Sequence, residues 1–369
     1  MADVKEIVKG INDEYGLPVV GTGVTWTETD RIPTGWFPFD LATGGGFPMG
    51  GVSVVFGPES SCKTSVALCA IASCQQLKPH LKCVFLDLEG TYDPFWGKVL
   101  GVDNDTLTYS LPDYAEQAVD ITTALLDADD IGIIVIDSLA AMSGENEVAS
   151  SAEKASVGQS GLIISKFYRK LTMAVNRAKK QGRFPLVIAI NQIRHKVGVM
   201  YGSPETQPGG FAFKFASKLT VRLYGKDVED KKLSTSIPVY KEISGEVRKW
   251  KVPICAKSFK MQMATHTVDD KLVQGHVDSW NTISTYLKQY GWLHKEKKSG
   301  PWVLLGDEYK TLDLLRYRLN AGPWVLLGDE YKTLDLLRYR LNVEIDYRDM
   351  VESKIIKQAL SPTEIIEVQ

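Results

Sequence analysis

The sequence predicts an α/β fold, a mainly parallel sheet flanked by helices with its chemistry gathered along one sheet edge. Three observations carry this. Short apolar runs recur at Val52 to Phe56, Cys83 to Leu88, Ile131 to Ile136, Leu186 to Ile190 and Leu219 to Leu223. Their length and β-branched content suit buried strands. Between the second, third and fourth runs lie segments long enough for crossover helices. One carries an apolar stripe at Ala118, Ile121 and Leu125, the other at Phe167, Leu171, Ala174 and Ala178. Strands alternating with helices imply a parallel sheet covered on both faces. Finally, a phosphate-binding loop, Glu89, Asp137 and Gln192 each follow directly after a predicted strand. Ligands in such sheets sit at the carboxyl ends of strands, so these groups converge.

The chain opens with Val4, Ile7, Val8 and Ile11 on one face of a short helix. Such a helix is marginal alone and must dock, on its own core or on a neighbouring subunit. Arg31 to Gly50, RIPTGWFPFDLATGGGFPMG, is dense in Gly and Pro and reads as turns leading into the first core strand.

Gly51 to Ala70, GVSVVFGPESSCKTSVALCA, organises the rest. Val52 to Phe56 is the strand, Gly57 to Thr64 the loop, and Ser65 to Ala70 begins a helix. This is the context a Walker A loop requires. Gly57 is expected to let the backbone turn sharply. The amides of Pro58-flanking Gly57, Glu59, Ser60, Ser61, Cys62 and the helix start through Ser65 point at phosphate oxygens. Lys63 reaches the β- and γ-phosphates, and the Thr64 hydroxyl suits Mg²⁺. One position departs from GxxxxGK[ST]. Cys62 stands at the second glycine and places a β-carbon where the backbone should pass close to phosphate.

Ile131 to Asp137, IGIIVID, fits a Walker B strand whose terminal acid holds Mg²⁺ directly or through water. Glu89 closes CVFLDLE, and a carboxylate there can orient and deprotonate an attacking water. Asp87 competes for that role. Alternation puts both acids on the same side of an extended strand, so spacing does not choose between them. Gln192, in IAINQIR, is a neutral group suited to bonding a γ-phosphate. After it runs a long, locally basic loop, IRHKVGVMYGSPETQPGG. Loops of that length in compact domains are functional or disordered. Arg194, His195 and Lys196 suit nucleic-acid phosphates, and Val197, Met200 and Tyr201 suit wedging or stacking against bases.

After about Thr265 the pattern changes. Trp280, Ile283 and Leu287 mark a helix, and GPWVLLGDEYKTLDLLRYRLN then occurs twice unchanged, at 300–320 and 322–342, with Ala321 between. Repeat architectures diverge and need about three units to bury a core. Two unchanged copies point to a recent duplication or an artefact of sequence assembly, and to a dispensable second copy. The tail, Val343 to Gln369, is mixed in composition and is expected to be helical near Asp349 to Leu360.

The 369 residues carry a net charge of −2, so nucleic-acid binding must come from a local patch. No apolar run is long enough to span a bilayer, and MADVKEIVKGINDEYG has no signal-peptide core. Of five cysteines, Cys69, Cys74, Cys83 and Cys255 are expected to pack as small hydrophobes. With Cys62 they lack a disulfide framework or metal spacing, which implies a reducing, cytoplasmic setting.

GPESSCKTS, FLDLEGTYDP, VIDSLAA, NQIRHKVGVMYGSPETQPGG and FKFASKLTVRL together resemble the RecA family of DNA recombinases, most of all its bacterial and bacteriophage members. The resemblance covers roughly Arg31 to Lys260. It implies a RecA-like P-loop ATPase core at 31–268. A small N-terminal helix and linker (1–30) would serve subunit docking, and a small C-terminal α/β domain (269–369) would hold the duplicated segment. It implies an ATP- and Mg²⁺-dependent helical filament on single-stranded DNA, with homology search and strand exchange into double-stranded DNA. A single-stranded-DNA-binding protein and loading factors are the further partners that the resemblance implies. By resemblance Glu89 is the catalytic glutamate, with Lys63 and Gln192 also in the catalytic set. Asp93 and Trp96 match adenine-contacting positions, although the family usually has Tyr at the latter. Gln192 links γ-phosphate to the second DNA loop, where Arg194, Val197, Gly209 and Gly210 match DNA contacts. Glu145 to Ser160 resembles the first DNA loop, with Val157 at a base-contacting position. Phe215 matches a subunit interface. Lys257 matches the first of two lysines that reach the neighbour's ATP, whereas the second appears as Phe259 with Lys260 beside it. Two other readings share the Walker elements: a hexameric helicase, which is not expected to carry NQIR and this glycine-rich loop, and an ATP-gated, non-catalytic DNA scaffold.

Overall fold

The computed structural model describes residues 3–142, 159–195, 205–206, 217–229, 238–267, 273–289, 293–295, 302–304, 307–309, 355–356 and 359. In chain order the elements are α1 (Val4–Tyr15), β1 (Arg31–Ile32), α2 (Phe37–Thr43), β2 (Phe47–Pro48), β3 (Gly51–Gly57), α3 (Lys63–Leu77), β4 (Lys82–Asp87), α4 (Pro94–Val99), β5 (Thr108–Ser110), α5 (Ala115–Leu125), β6 (Ile131–Asp137), a short 3₁₀ turn (Leu139–Ala141), α6 (Gln159–Lys180), β7 (Leu186–Gln192), β8 (Arg194–His195), β9 (Glu205–Thr206), β10 (Leu219–Val228), β11 (Tyr240–Trp250), β12 (Ser258–Ala264), β13 (Val277–Asp278), α7 (Trp280–Gln289), β14 (Leu293–Lys295), β15 (Trp302–Leu304) and β16 (Asp307–Tyr309).

Among the described residues the main sheet has nine strands in the order β13-β12-β11-β10-β3-β7-β6-β4-β5. From β10 to β5 every pairing is parallel. The five apolar runs are therefore β3, β4, β6, β7 and β10, the centre of the sheet. The strands missing from the sequence reading lie at its flanks. β5 is three residues, Thr-Tyr-Ser, none of them buried, with no apolar run to mark it. β12 does alternate, burying Phe259, Met261 and Met263 between exposed Ser258, Lys260 and Gln262.

The chain divides into two compact units. The first comprises Met1–Thr34, Gly46–Tyr224 and Glu246–Val252. Its parallel strands are covered on one side by α3, which buries Val66, Ala67, Leu68, Ala70, Ile71 and Cys74. On the other side α5 and α6 pack together. Ala118 is buried with Ile121 and Leu125 half-buried against it, and Phe167, Leu171 and Ala174 lie in the same core. α1 forms where its stripe predicts it but buries none of its residues within one chain. After it, the Asn12 amide oxygen accepts the N–H groups of Val19 and Val20 at 2.8 and 2.9 Å, which turns the linker back along the helix.

The second unit comprises Gly35–Gly45, Gly225–Gly245 and Pro253–Gln369. The stretch read as turns contains α2, every residue of which is buried. Phe39 meets Phe259 edge-on with ring centroids 5.5 Å apart. Gly245 is required there, because a β-carbon would stand 2.0 Å from the Phe259 ring. In α7, Ile283 and Leu287 are buried as predicted. The first copy of the repeat supplies β15 and β16, an antiparallel hairpin that pairs with β14. The second copy lies outside the described residues. Cys69, Cys74 and Cys83 are buried, but Cys255 is only half-buried, which corrects one of the four expected core thiols. Among the described residues no helix is long and apolar enough to cross a membrane.

Candidate nucleotide-binding site

The site is built at the carboxyl ends of β3, β4, β6 and β7, inside the first unit. Register aligns the strand ends: Gly57 pairs with Gln192, and Asp87 with Asp137.

The loop after β3 owes its shape to three positions. A β-carbon on Gly57 would meet the Leu223 carbonyl oxygen at 2.2 Å. Glycine is needed there for close approach to β10, not for the turn expected from sequence. The left-handed residues are Ser60 (φ 58) and Cys62 (φ 62), both non-glycine. Cys62 thus sits, at the N-cap of α3 with φ 62 and ψ 26, in the conformation that its missing glycine would adopt without strain. The next residue, Lys63, is buried. Its Nζ donates to the Pro58 carbonyl at 2.6 Å and to Ser61 Oγ at 3.4 Å. Burial lowers its pKa, against the opposing charges of Asp137, Glu89, Cys62 and Glu59.

Thr64 Oγ1 donates to Asp137 Oδ2 at 2.5 Å and so ties the start of α3 to the end of β6. Asp137 is buried, and its pKa is pushed up to about 7. Burial is the main cause. The Thr64 hydrogen bond opposes it, Glu89 and Asp87 add to the rise, and Lys63 opposes. The Asp137 carboxylate and the Thr64 hydroxyl bonded to it supply two hard oxygen donors of the kind Mg²⁺ prefers, with the charges of Glu89 and Asp87 nearby. A dication there would relieve the mutual repulsion of the acids. The residues present fit a magnesium–nucleotide.

The two competing acids have different environments, and the expected alternation does not apply. β4 ends at Asp87, so Glu89 lies beyond the strand. Asp87 is fully buried and turned inward. Its Oδ1 accepts the N–H groups of Glu89 and Gly90 at 3.1 and 2.8 Å. Its Oδ2 accepts the Tyr92 N–H at 2.8 Å and the Tyr109 hydroxyl at 3.1 Å. Four donors make Asp87 a clamp for the loop that carries Glu89. Glu89 itself is exposed, and its Oε1 accepts hydrogen bonds from Ser138 Oγ and from Gln192 Nε2, the latter at 2.8 Å. Ser138 lay within the motif VIDSLAA but no spacing rule marks it. The aromatic stack of Phe85, Tyr92 and Tyr109 behind the loop was likewise missed, because its members come from three separate segments.

Asp93 caps α4 by accepting the Phe95 N–H at 2.9 Å. Trp96 is half-buried, and its indole N–H donates to Ser65 Oγ at 3.2 Å, which brings it against the start of α3. Beyond Gln192, the Ile193 N–H donates to the Gly57 carbonyl at 3.3 Å. The chain then enters a short antiparallel ladder in which Arg194 pairs with Thr206 and His195 with Glu205. This two-residue ladder lies directly beyond the site. Val157, Lys196, Val197, Gly209, Gly210 and Phe215 lie outside the described residues. In the second unit Lys257 and Lys260 are exposed, whereas Phe259 is a core residue and offers no cation.

A strand–loop–helix with a buried lysine, joined through Thr64 to an acid at the end of β6, with β7 between β6 and β3, defines a P-loop protein of the α/β class. A family model described as the RecA N-terminal domain matches residues 3–266. The chain belongs to the RecA family. Protein RecA of Acholeplasma laidlawii is 36% identical over 305 residues, 82% of this chain and 86% of that protein. Protein RecA of Aquifex pyrophilus is 44% identical over 210 residues, 56% of this chain and 58% of that protein. Protein RecA of Bacillus licheniformis is 42% identical over 214 residues, 58% of this chain and 59% of that protein. In the last two comparisons the chain spans less than two thirds of the relative's length.

Proposed function

We propose that this chain is an ATP-dependent DNA recombinase, a DNA-dependent ATPase that forms helical filaments on single-stranded DNA and promotes pairing and exchange with a homologous duplex. The observation that carries the reading is the hydrogen-bonded line from Ser138 through Glu89 to Gln192, which leads from the phosphate loop's strand ends to the two-residue ladder at Arg194–His195. A plain nucleotide-binding domain needs no such link.

Gly57 to Ser65 cradles the phosphates, with the loop amides and the Lys63 ammonium as donors. Thr64 and Asp137 would hold Mg²⁺, which supplies charge neutralisation at the phosphates when bound. Asp93 and Trp96 flank the adenine. Glu89 takes a proton from the attacking water as the water oxygen bonds to the γ-phosphorus and the bond to the β–γ bridging oxygen breaks, releasing ADP and phosphate. Gln192 exchanges Glu89 for the γ-phosphate and carries that change into Arg194, His195, Lys196 and Val197 and on to Gly209 and Gly210. Val157 belongs to the first DNA loop, Glu145 to Ser160, and contacts bases there. Phe215 and the exposed stripe of α1 serve the subunit interface, and Lys257 reaches toward the neighbour's nucleotide. The work is cytoplasmic, alongside a single-stranded-DNA-binding protein and loading factors.

Electron microscopy of the protein with single-stranded DNA and a slowly hydrolysed ATP analogue tests this. Helical filaments are expected, together with DNA-stimulated ATP turnover. Closed rings would instead indicate a hexameric helicase, and filaments without turnover an ATP-gated scaffold.

A further inference from the structure

Ser138 is fully buried and follows Asp137 at the end of β6. It occupies the N-cap of the 3₁₀ turn at Leu139–Ala141, the position where a serine hydroxyl ordinarily caps a backbone N–H. Its side chain makes no such cap. The hydroxyl donates instead to Glu89 Oε1. Gln192 Nε2 donates to the same oxygen. Among the described residues Oε2 accepts no hydrogen bond. One carboxylate oxygen of an exposed glutamate is therefore held twice, and the other is left to the solvent side.

The two donors differ in what they can do later. Gln192 ends β7 and leads into the ladder at Arg194–His195, so an amide that turns to a γ-phosphate leaves Glu89. Ser138 is buried at a strand end and stays. We propose that Ser138 is a positioning residue for ATP hydrolysis: it fixes Oε1 of Glu89 throughout turnover and so presents Oε2 to the attacking water. The inference rests on the reading of Glu89 as the base. An exposed glutamate without this anchor samples several rotamers, and only a fraction of them reach the water.

A hydrogen bond to a charged group is worth enough to change a rate ten- to hundred-fold. Ser138→Ala is expected to lower kcat by about that factor at unchanged KM for ATP. A readout independent of turnover accompanies it. The affinity for ADP–aluminium fluoride, which demands a placed water, should fall by a similar factor, while the affinity for ATPγS stays at the wild-type value. Ser138→Cys, which keeps the shape with a weaker donor, should fall between, and it carries the test should the alanine variant fail to fold. Wild-type kcat and wild-type ADP–aluminium fluoride affinity in these variants overturn the proposal. An equal loss of ATPγS affinity also overturns it, because that marks a structural role. Glu89→Gln separates the two readings. If that variant turns over ATP normally, Glu89 is not the base. If it is inactive while Ser138→Ala is normal, the positioning proposal alone fails.

Discussion

Replacing Cys62 by glycine should stabilise the protein and speed hydrolysis. Cys62 has φ 62 and ψ 26, the left-handed region. A side chain there costs about 1–2 kcal/mol relative to the right-handed conformation, because the β-carbon crowds the neighbouring carbonyl oxygen. Glycine removes that strain but gains conformational freedom in the unfolded chain, which returns about 0.5–1 kcal/mol. The net expectation is a gain of about 0.5–1 kcal/mol. With a urea dependence of roughly 2–3 kcal/mol/M, the unfolding midpoint of the nucleotide-free protein should rise by about 0.2–0.5 M. Cys62→Ala is the necessary comparison. It removes the sulfur and keeps the β-carbon, so it should bring no gain. Equal stabilisation by alanine and glycine would refute the backbone account and assign the effect to the thiol. On the proposed function the same β-carbon would crowd the phosphates, so Cys62→Gly should also raise ATP turnover, measured with single-stranded DNA. A glycine variant less stable than wild type, with unchanged turnover, would show that the loop has adapted fully to cysteine.

Lys63→Ala should abolish nucleotide binding by calorimetry, whereas Glu89→Gln should bind ATP normally and lose turnover. Arg194→Ala and Lys196→Ala should weaken DNA binding without changing ATP affinity measured in the absence of DNA; each lost phosphate contact lowers the log–log salt slope by about one unit or slightly less. Deleting 321–342 should leave the protein soluble, with the protection of the β14–β16 amides against hydrogen exchange unchanged, because the first copy already supplies β15 and β16. The Asp137 carboxyl, raised to about 7 in the folded protein, binds more protons than the unfolded chain between about pH 4 and pH 7. Stability of the nucleotide-free protein should therefore fall as pH rises across that window, by at most about 1.4 kcal/mol per unit from this group, then level off. Asp137→Asn should remove that component of the slope in urea unfolding.

The centre of the sheet was legible because its strands are buried on both faces, and a strand of that kind must be apolar almost throughout. β3, β4, β6 and β7 obey this rule, and their ends place the chemistry. The flanks obey weaker rules. β5 gains its place from β4 and from the Tyr109 hydroxyl bonded to Asp87, neither of which leaves a mark in Thr-Tyr-Ser. α2 was hidden because Pro38 sits at the helix start, where it is tolerated, and Gly44 at the C-cap, so the residues that punctuate a loop here punctuate a helix.

The choice between Asp87 and Glu89 shows where sequence reasoning stops at the site itself. Period-two alternation is a property of strands, and the strand ends between the two acids. Past that point the backbone turns, and the turn is made by Asp87 itself, whose two oxygens collect three N–H groups from Glu89, Gly90 and Tyr92. The acid that shapes the loop is thereby spent as an acceptor, and the acid that the loop carries remains exposed. A spacing of two residues holds both roles. What separates them is the count of hydrogen bonds each carboxylate has already accepted, a quantity fixed by donors as distant in sequence as Ser138 and Gln192.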